Sequence, residues 1–429
     1  MNGLPTVVIG AGPVGLAAAA QLYERNEDFL VVEKGAQAGS NILEWGHVQL
    51  FSPWEFNIDT VAKNLLLSSG WTEPEATKLP TGNELVKEYL EPLSKLPEFA
   101  EKILYHTEVT AITRKNKDKM KSDSREESPF VLYVSSNGTT KKIEAKAIID
   151  ASGTWQNPNP PFADGVWRNK ELKSQLTTII PNVKREAETF KKKHIAVIGS
   201  GHSALNTLID LAKLKEEYPE TKLSWIVRKQ HVQEAFGGEE NDALAARGEL
   251  GSKTHNIVNN GVVEVFSSFY VEEILQSGEG YTIISTEGKE VSGVDEIIVN
   301  TGARPDFTFL SELRLAVDPA VESTPALAPL IDPNLHSCGT VRPHGEAELR
   351  HPERHFYIAG VKSYGRAPTF LLATGYEQVR SIAAFIAGDV ESARQVQLKL
   401  PETGVCKVEP LPTQFQIVDF NGGAKCCGC

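Results

Sequence analysis

Two glycine-rich segments have the spacing of phosphate-cradling loops: Gly10-Ala11-Gly12-Pro13-Val14-Gly15 near the start of the chain, and Gly199-Ser200-Gly201-His202-Ser203-Ala204 near its middle. At a turn from strand into helix, the first glycine permits a tight bend and the second lets backbone amides approach a phosphate. The third lets helix and strand pack closely. The following helix then offers unpaired N–H groups and a positive dipole end to the anion. In the second segment the third position is Ala204, which this pattern tolerates.

The flanking elements fit that chemistry. The strand Thr6-Val7-Val8-Ile9 precedes the first loop, the alanine-rich helix Leu16 to Leu22 follows it, and the next strand, Phe29 to Val32, ends at Glu33 with Lys34 beside it. A carboxylate about 20 residues beyond the loop accepts hydrogen bonds from both ribose hydroxyls of a dinucleotide. The second loop lies between the strand His194 to Ile198 and the amphipathic helix Leu205 to Leu214. Its next strand, Leu223 to Val227, ends at Arg228-Lys229, with His231 just beyond. A guanidinium grips a 2′-phosphate bidentately where a carboxylate would repel it. One acidic and one basic strand end therefore read as FAD at the first loop and NADPH, rather than NADH, at the second.

With 429 residues the chain has room for two or three domains. At 41% hydrophobic and 23% charged residues it is globular in composition, and a net charge of -12 argues against nucleic acid as a partner. Apolar runs are too short for a membrane span, and the N-terminus runs straight into the first strand without a charged leader. The expectation is a soluble cytoplasmic protein without a membrane partner. The five cysteines, Cys338, Cys406, Cys426, Cys427 and Cys429, do not form the framework of a secreted protein and fit a reducing compartment. Cys426, Cys427 and Cys429 crowd a glycine-bearing end. Thiolates so placed select soft metals and, by the same logic, trivalent metalloids; relaying electrons to a disulfide, or no role, are the alternatives.

The strand Ala147 to Asp150 leads into the small-residue turn Ala151-Ser152-Gly153-Thr154 and the proline-rich linker Asn157 to Pro161. A second crossing of the same character joins the strand Glu296 to Asn300 to Thr301-Gly302-Ala303-Arg304-Pro305. The implied fold is α/β, with two Rossmann-like dinucleotide-binding domains and a short C-terminal extension. The FAD domain takes residues 1–160 and 301–390, the inserted NADPH domain 190–300, and the extension 391–429. Arg114 to Ser128, charged and poor in apolar residues, reads as a solvated hairpin loop. The strand Phe356 to Gly360, followed by Tyr364 to Pro368 and the helical stretch Thr369 to Ile386, would direct amides and a positive helix end at the flavin ring and ribityl chain.

The two loops, the crossings at Gly153 and Gly302, and the closing unit at Gly360 and Thr369 together resemble the two-dinucleotide-domain flavoproteins of the pyridine nucleotide-disulfide oxidoreductase superfamily, over roughly residues 5–390. Glutathione reductase-like members carry a redox cysteine pair shortly after the ribose-binding acid, but Gly39-Ser40-Asn41-Ile42-Leu43 holds none. Thioredoxin reductases place theirs in the NADPH domain, and no cysteine lies between Phe190 and Asn300. The remaining branch is the class B flavin monooxygenases, including the N-hydroxylases. Gly39 to Asn57, with Trp45 and Trp54, is similar to the segment that lies over their flavin. The FxGxxxHxxxW signature of that branch is absent, and the Gly-Asp pair of the reductases reads Gly360-Val361.

More narrowly, Phe236 to Asp242, Ser337 to Gly345 and Lys362 to Phe370 resemble bacterial flavoproteins of arsenic-resistance gene clusters. The resemblance implies hydride transfer from NADPH to FAD, then oxygen transfer through a flavin C4a-(hydro)peroxide to a soft nucleophilic substrate such as a trivalent (organo)arsenical. It assigns Asn57 to hydrogen-bond the peroxide and Arg366 to hold the nicotinamide cofactor or a substrate anion. Opposing these are Asn57 as a helix-start cap and Arg366 as half of a surface ion pair; His47 reads as structural. The partners implied are a small-molecule substrate and oxygen, with homo-oligomer formation left open. A thiol or metalloid reductase using the cysteine tail, and a non-enzymatic redox or metalloid sensor, are the competing readings.

Overall fold

Parallel strands buried on both faces need near-continuous apolar runs, and nine short runs of this kind form two separate sheets. The computed structural model describes residues 3–237, 245–278, 280–335, 344–367 and 370–398. Numbered in chain order, β1 (Thr6–Ile9), β2 (Phe29–Val32), β3 (Ile103–Leu104), β7 (Ala147–Asp150) and β15 (Phe356–Ile358) make a five-stranded sheet in the order β15-β7-β1-β2-β3. All of its pairs are parallel. A second parallel sheet, β10-β9-β8-β14, comprises β8 (His194–Ile198), β9 (Lys222–Ile226), β10 (Glu264–Phe266) and β14 (Glu296–Val299). The first sheet is thus left at β7 and completed by β15, with the whole second sheet between them in sequence.

Each sheet is accompanied by a three-stranded antiparallel meander. One is β4 (Glu108–Arg114), β5 (Phe130–Ser136) and β6 (Thr139–Ala145); the other is β11 (Val271–Ser277), β12 (Gly280–Ser285) and β13 (Glu290–Val294). The chain is therefore α/β with two Rossmann-type layers. Among the described residues, no helix is long and apolar enough to cross a membrane.

The helix α1 (Pro13–Glu24) begins one residue after Gly12, because the fixed φ of Pro13 suits a first turn and its missing N–H is not needed there. Ala17, Ala18, Ala19 and Ala20 are all fully buried, and their small side chains let α1 lie between β1 and the C-terminal helix Leu372–Ile386. The helix after the second loop, His202–Glu217, buries Leu205, Leu208 and Leu211 against Leu223 and Trp225 of β9. Burial of each such leucine contributes about 2 kcal/mol. Both helices start earlier than the Leu16 and Leu205 expected from apolar periodicity, since the glycine loops feed directly into the first turn.

The charged run between β4 and β5 is a solvated loop with two buried anchors. Arg114 and Arg125 are buried, and both donate to the Glu353 carboxylate, at 2.8 Å from Arg114 Nε and 2.8 Å from Arg125 Nη2. Burial alone would raise the Glu353 pKa, but the hydrogen bonds from Arg125 and Arg114 outweigh it and hold the carboxyl below its ordinary range. The hairpin is therefore largely exposed, as expected, and clamped at two points to the segment ahead of β15.

Candidate functional site

A cavity of about 440 Å³ opens where β1 and β7 end, lined among others by Gly10, Gly12, Pro13, Glu33, Gly153 and Gly360. Gly10 has φ +98°, and a Cβ there would sit 2.8 Å from Ala151 O. A Cβ on Gly15 would lie 1.9 Å from Gly10 O, so only glycine lets α1 leave β1 at this angle. At Gly12, by contrast, a Cβ would meet nothing, and no side chain caps the helix it begins. The first-turn amides are thus open toward the cavity, as an anion requires. Glu33 is held in place by backbone: Oε2 accepts from Ala11 N–H at 2.7 Å and Oε1 from Gly35 N–H at 2.6 Å. An open amide cradle and a fixed carboxylate in one cavity fit the pyrophosphate and ribose of FAD.

The second loop repeats the backbone logic with different surroundings. Gly199 has φ +135°, and a Cβ on it would lie 2.1 Å from Asn300 O. Trp225 Nε1 donates to Gly199 O at 2.7 Å, and Asn300 Oδ1 accepts from Thr207 Oγ1 at 2.8 Å, locking loop, helix and β14 together. Ser200 is half-buried, Gly201 faces open space and Ala204 is fully buried. Arg228 is exposed just past β9, and Lys229 Nζ lies 3.7 Å from Glu234 Oε2.

The two loops meet. His202, Ser203 and Asn206 line the same cavity as Gly12, and the His202 ring lies 5.1 Å from that of Phe51. His47 Nε2–H donates to Pro181 O at 3.1 Å, a structural bond across the same junction. Trp45 and Trp155 stand 6.3 Å apart as a second wall, fixed by Trp155 Nε1 donating to Glu44 Oε2 at 2.7 Å. Leu50, Phe51, Ile180 and Phe370 add apolar surface. Burial pushes the Tyr364 and Tyr376 phenols far above their ordinary range, which leaves them protonated at neutral pH.

Several sequence assignments move. Asn57 is fully buried and off the cavity: its Nδ2 donates to Ser52 O at 2.7 Å and Pro53 O at 3.0 Å, while Oδ1 accepts from Ser52 Oγ at 2.8 Å. Its amide closes a turn, and both of its N–H donors are used within that turn. Nor does it cap the next helix, Thr60–Ser68, a task performed by Asp59 through Ala62 N–H at 2.9 Å. Arg366 is exposed and outside the cavity, and its backbone N–H donates to Val321 O at 2.7 Å. Lys34 points away and pairs with Glu108 at 2.7 Å.

Gly360 stays on the cavity wall, but its N–H donates to Gln378 Oε1 at 2.8 Å, so that amide faces the core rather than a flavin. Gly302 sits on the crossing itself, its carbonyl accepting from Asn159 N–H at 2.9 Å. Thr369, Cys338, Cys406, Cys426, Cys427 and Cys429 lie outside the described residues. Sequence reading missed Ser152, which lines the cavity, and the buried pair Lys362–Asp150 behind it. A lone lysine after a strand carries no pattern that would single it out.

Comparison with known proteins agrees with this geometry. Residues 7–331 match the family model described as pyridine nucleotide-disulphide oxidoreductase. A flavin-containing monooxygenase, GS-OX-like 2 of Arabidopsis thaliana, is 25% identical over 240 residues, 49% of this chain and 47% of the relative. The chain thus spans about half the length of the curated relatives it matches. Among solved structures, bacillithiol disulfide reductase Bdr from Bacillus cereus superposes with a TM-score of 0.64 at 18% identity, covering 90% of this chain and 99% of that one. The FAD-bound cadaverine monooxygenase DfoA from Erwinia amylovora gives 0.60 at 13% identity, covering 96% and 99%. At such identities the likeness is one of fold. With the matched family model covering both loops, the second sheet and four of the five strands of the first, the chain belongs to the pyridine nucleotide-disulphide oxidoreductase family of FAD- and pyridine-nucleotide-dependent oxidoreductases.

Proposed function

We propose that the protein is an NADPH-dependent FAD monooxygenase that transfers an oxygen atom to a soft nucleophilic centre, with trivalent (organo)arsenicals the first substrates to test. The observation that carries this reading is a single cavity bordered by both nucleotide loops and walled by apolar side chains, in a chain whose first cysteine is Cys338, beyond both places where the reductases carry their redox pair. Bound FAD would supply hydride acceptance and oxygen activation; the chain has to orient and enclose it. Gly10, Gly12 and Glu33 form its cradle, and Trp45, Trp155, Leu50 and Phe51 keep water out. The basic strand end Arg228-Lys229 favours the phosphorylated nicotinamide. Support for an arsenical comes from the resemblance to flavoproteins of arsenic-resistance clusters and from the soft-ligand character of Cys426, Cys427 and Cys429.

Purified holoenzyme should consume NADPH and oxygen in equal amounts, faster when a trivalent methylated arsenical is added. Sustained anaerobic turnover with a disulfide acceptor would overturn the reading. The thiol cluster favours one rival, a reductase whose tail carries electrons away from the flavin. Truncation after Asp419 separates the two, since a relay enzyme loses turnover while a monooxygenase keeps its substrate-stimulated NADPH oxidation.

A further inference from the structure

A buried cation lies directly behind the cavity wall. Lys362 follows the cavity residues Gly360 and Val361, is 1% exposed, and places Nζ 2.7 Å from Oδ2 of Asp150, which is 0% exposed at the end of β7. The same ammonium donates to Ser152 Oγ at 3.1 Å. Ser152, part of the cavity lining, donates in turn to Asp150 Oδ1, from Oγ at 2.6 Å and from N at 3.1 Å. One ammonium, one carboxylate and one hydroxyl therefore tie the turn 150–154 to the turn 360–364, and both turns form the cavity wall.

Taking such a pair out of water costs several kcal/mol per ion, and a well-packed apolar pair holds two turns together at least as well. Charge at this place is explained where a neighbour changes its own charge. Of the groups this cavity is built to hold, the flavin does so, because reduction adds electrons to it. The low dielectric of the interior makes a fixed charge there act strongly on that change.

We propose that Lys362 is a positioning and charge-setting residue for the flavin. Held by Asp150, it fixes the two turns at the spacing that admits the cofactor and favours the reduced form. Ser152 presents the pair to the cavity. This rests on reading the cavity as the FAD site.

The test measures FAD binding to the full-length apoprotein by fluorescence titration, and the flavin midpoint potential by dye equilibration, in Lys362→Met, Lys362→Arg, Asp150→Asn and Ser152→Ala. Lys362→Met should weaken FAD at least tenfold and move the potential negative, because an unbalanced carboxylate remains. Asp150→Asn leaves the cation unbalanced and should move it positive. Lys362→Arg should restore affinity to within a few-fold of wild type. Shifts of the same sign, or an unchanged potential in folded variants, would show the pair to be a structural clip only. Should Lys362→Met fail to fold, Asp150→Asn decides alone on its potential. Ser152→Ala, with both charges kept, should lose FAD affinity several-fold with a smaller change in potential than Asp150→Asn, and unaltered affinity overturns its role. Wild-type apoprotein that takes up no FAD would sink the site assignment itself, a separate result.

Discussion

The first and second glycine loops share a backbone design and differ in everything around it. At the first, Gly10 and Gly15 are pressed against backbone, the helix amides open into a cavity, and Glu33 is clamped by two N–H groups. At the second, Gly199 is equally confined, but the basic side chains beyond β9 are the exposed Arg228 and the half-buried Lys229. An enclosed site with a pre-oriented carboxylate suits a nucleotide that stays. A surface cation pair suits one that comes and goes, with affinity that falls as salt rises.

The sharpest way to break this contrast is to replace one glycine of each loop. Gly15→Ala forces a Cβ against Gly10 O and should cost about 3 kcal/mol of stability or more, giving a colourless protein by visible absorbance. Gly201→Ala, which meets open space, should keep the flavin and the melting temperature while raising the NADPH dissociation constant about tenfold, or about 1.4 kcal/mol. Next in size, Glu33→Ala should weaken FAD by about 1.5–3 kcal/mol in apoprotein titrations and leave NADPH binding unchanged. Arg228→Ala should then reduce the preference for NADPH over NADH about tenfold in steady-state kinetics, the loss vanishing at high salt.

A buried group outside both loops supplies a control. His351, buried against Ala316 and Phe356, has its pKa pushed down to about 4 by desolvation. The unfolded chain binds a proton near pH 6.5 that the folded one refuses, so stability present above that pH is lost as pH falls toward 4. The slope approaches about 1.4 kcal/mol per pH unit in that window. His351→Gln should flatten the dependence in chemical denaturation without altering either nucleotide affinity. Smallest of all, Arg366→Ala should change kcat and KM by less than twofold, consistent with its exposure.

What was legible followed from local pattern. Strand, glycine loop and helix are contiguous, so β1 with its helix, β8 with its helix, and the acidic and basic strand ends could be read directly. Asn57 shows the limit. Its partners lie within five residues, yet whether its amide faces a cavity or its own turn depends on the turn's conformation. The charged run 114–128 shows another, because the acid that buries two of its arginines is Glu353, 239 residues from Arg114. Lys362 and Asp150 are separated by 212 residues and carry no spacing at all.

By itself the amino-acid order determined that there are two nucleotide loops, which sign of charge closes each, and that no thiol precedes Cys338. These depend on covalent neighbours, and steric limits on glycine and strand periodicity act within a few residues. Only the tertiary structure decided that both loops face one cavity, that Asn57, Arg366 and Lys34 stand off it, and that a buried lysine backs its wall. Those facts depend on which distant segments the sheets bring together, and on where a side chain finds its hydrogen-bond partner once water has been excluded.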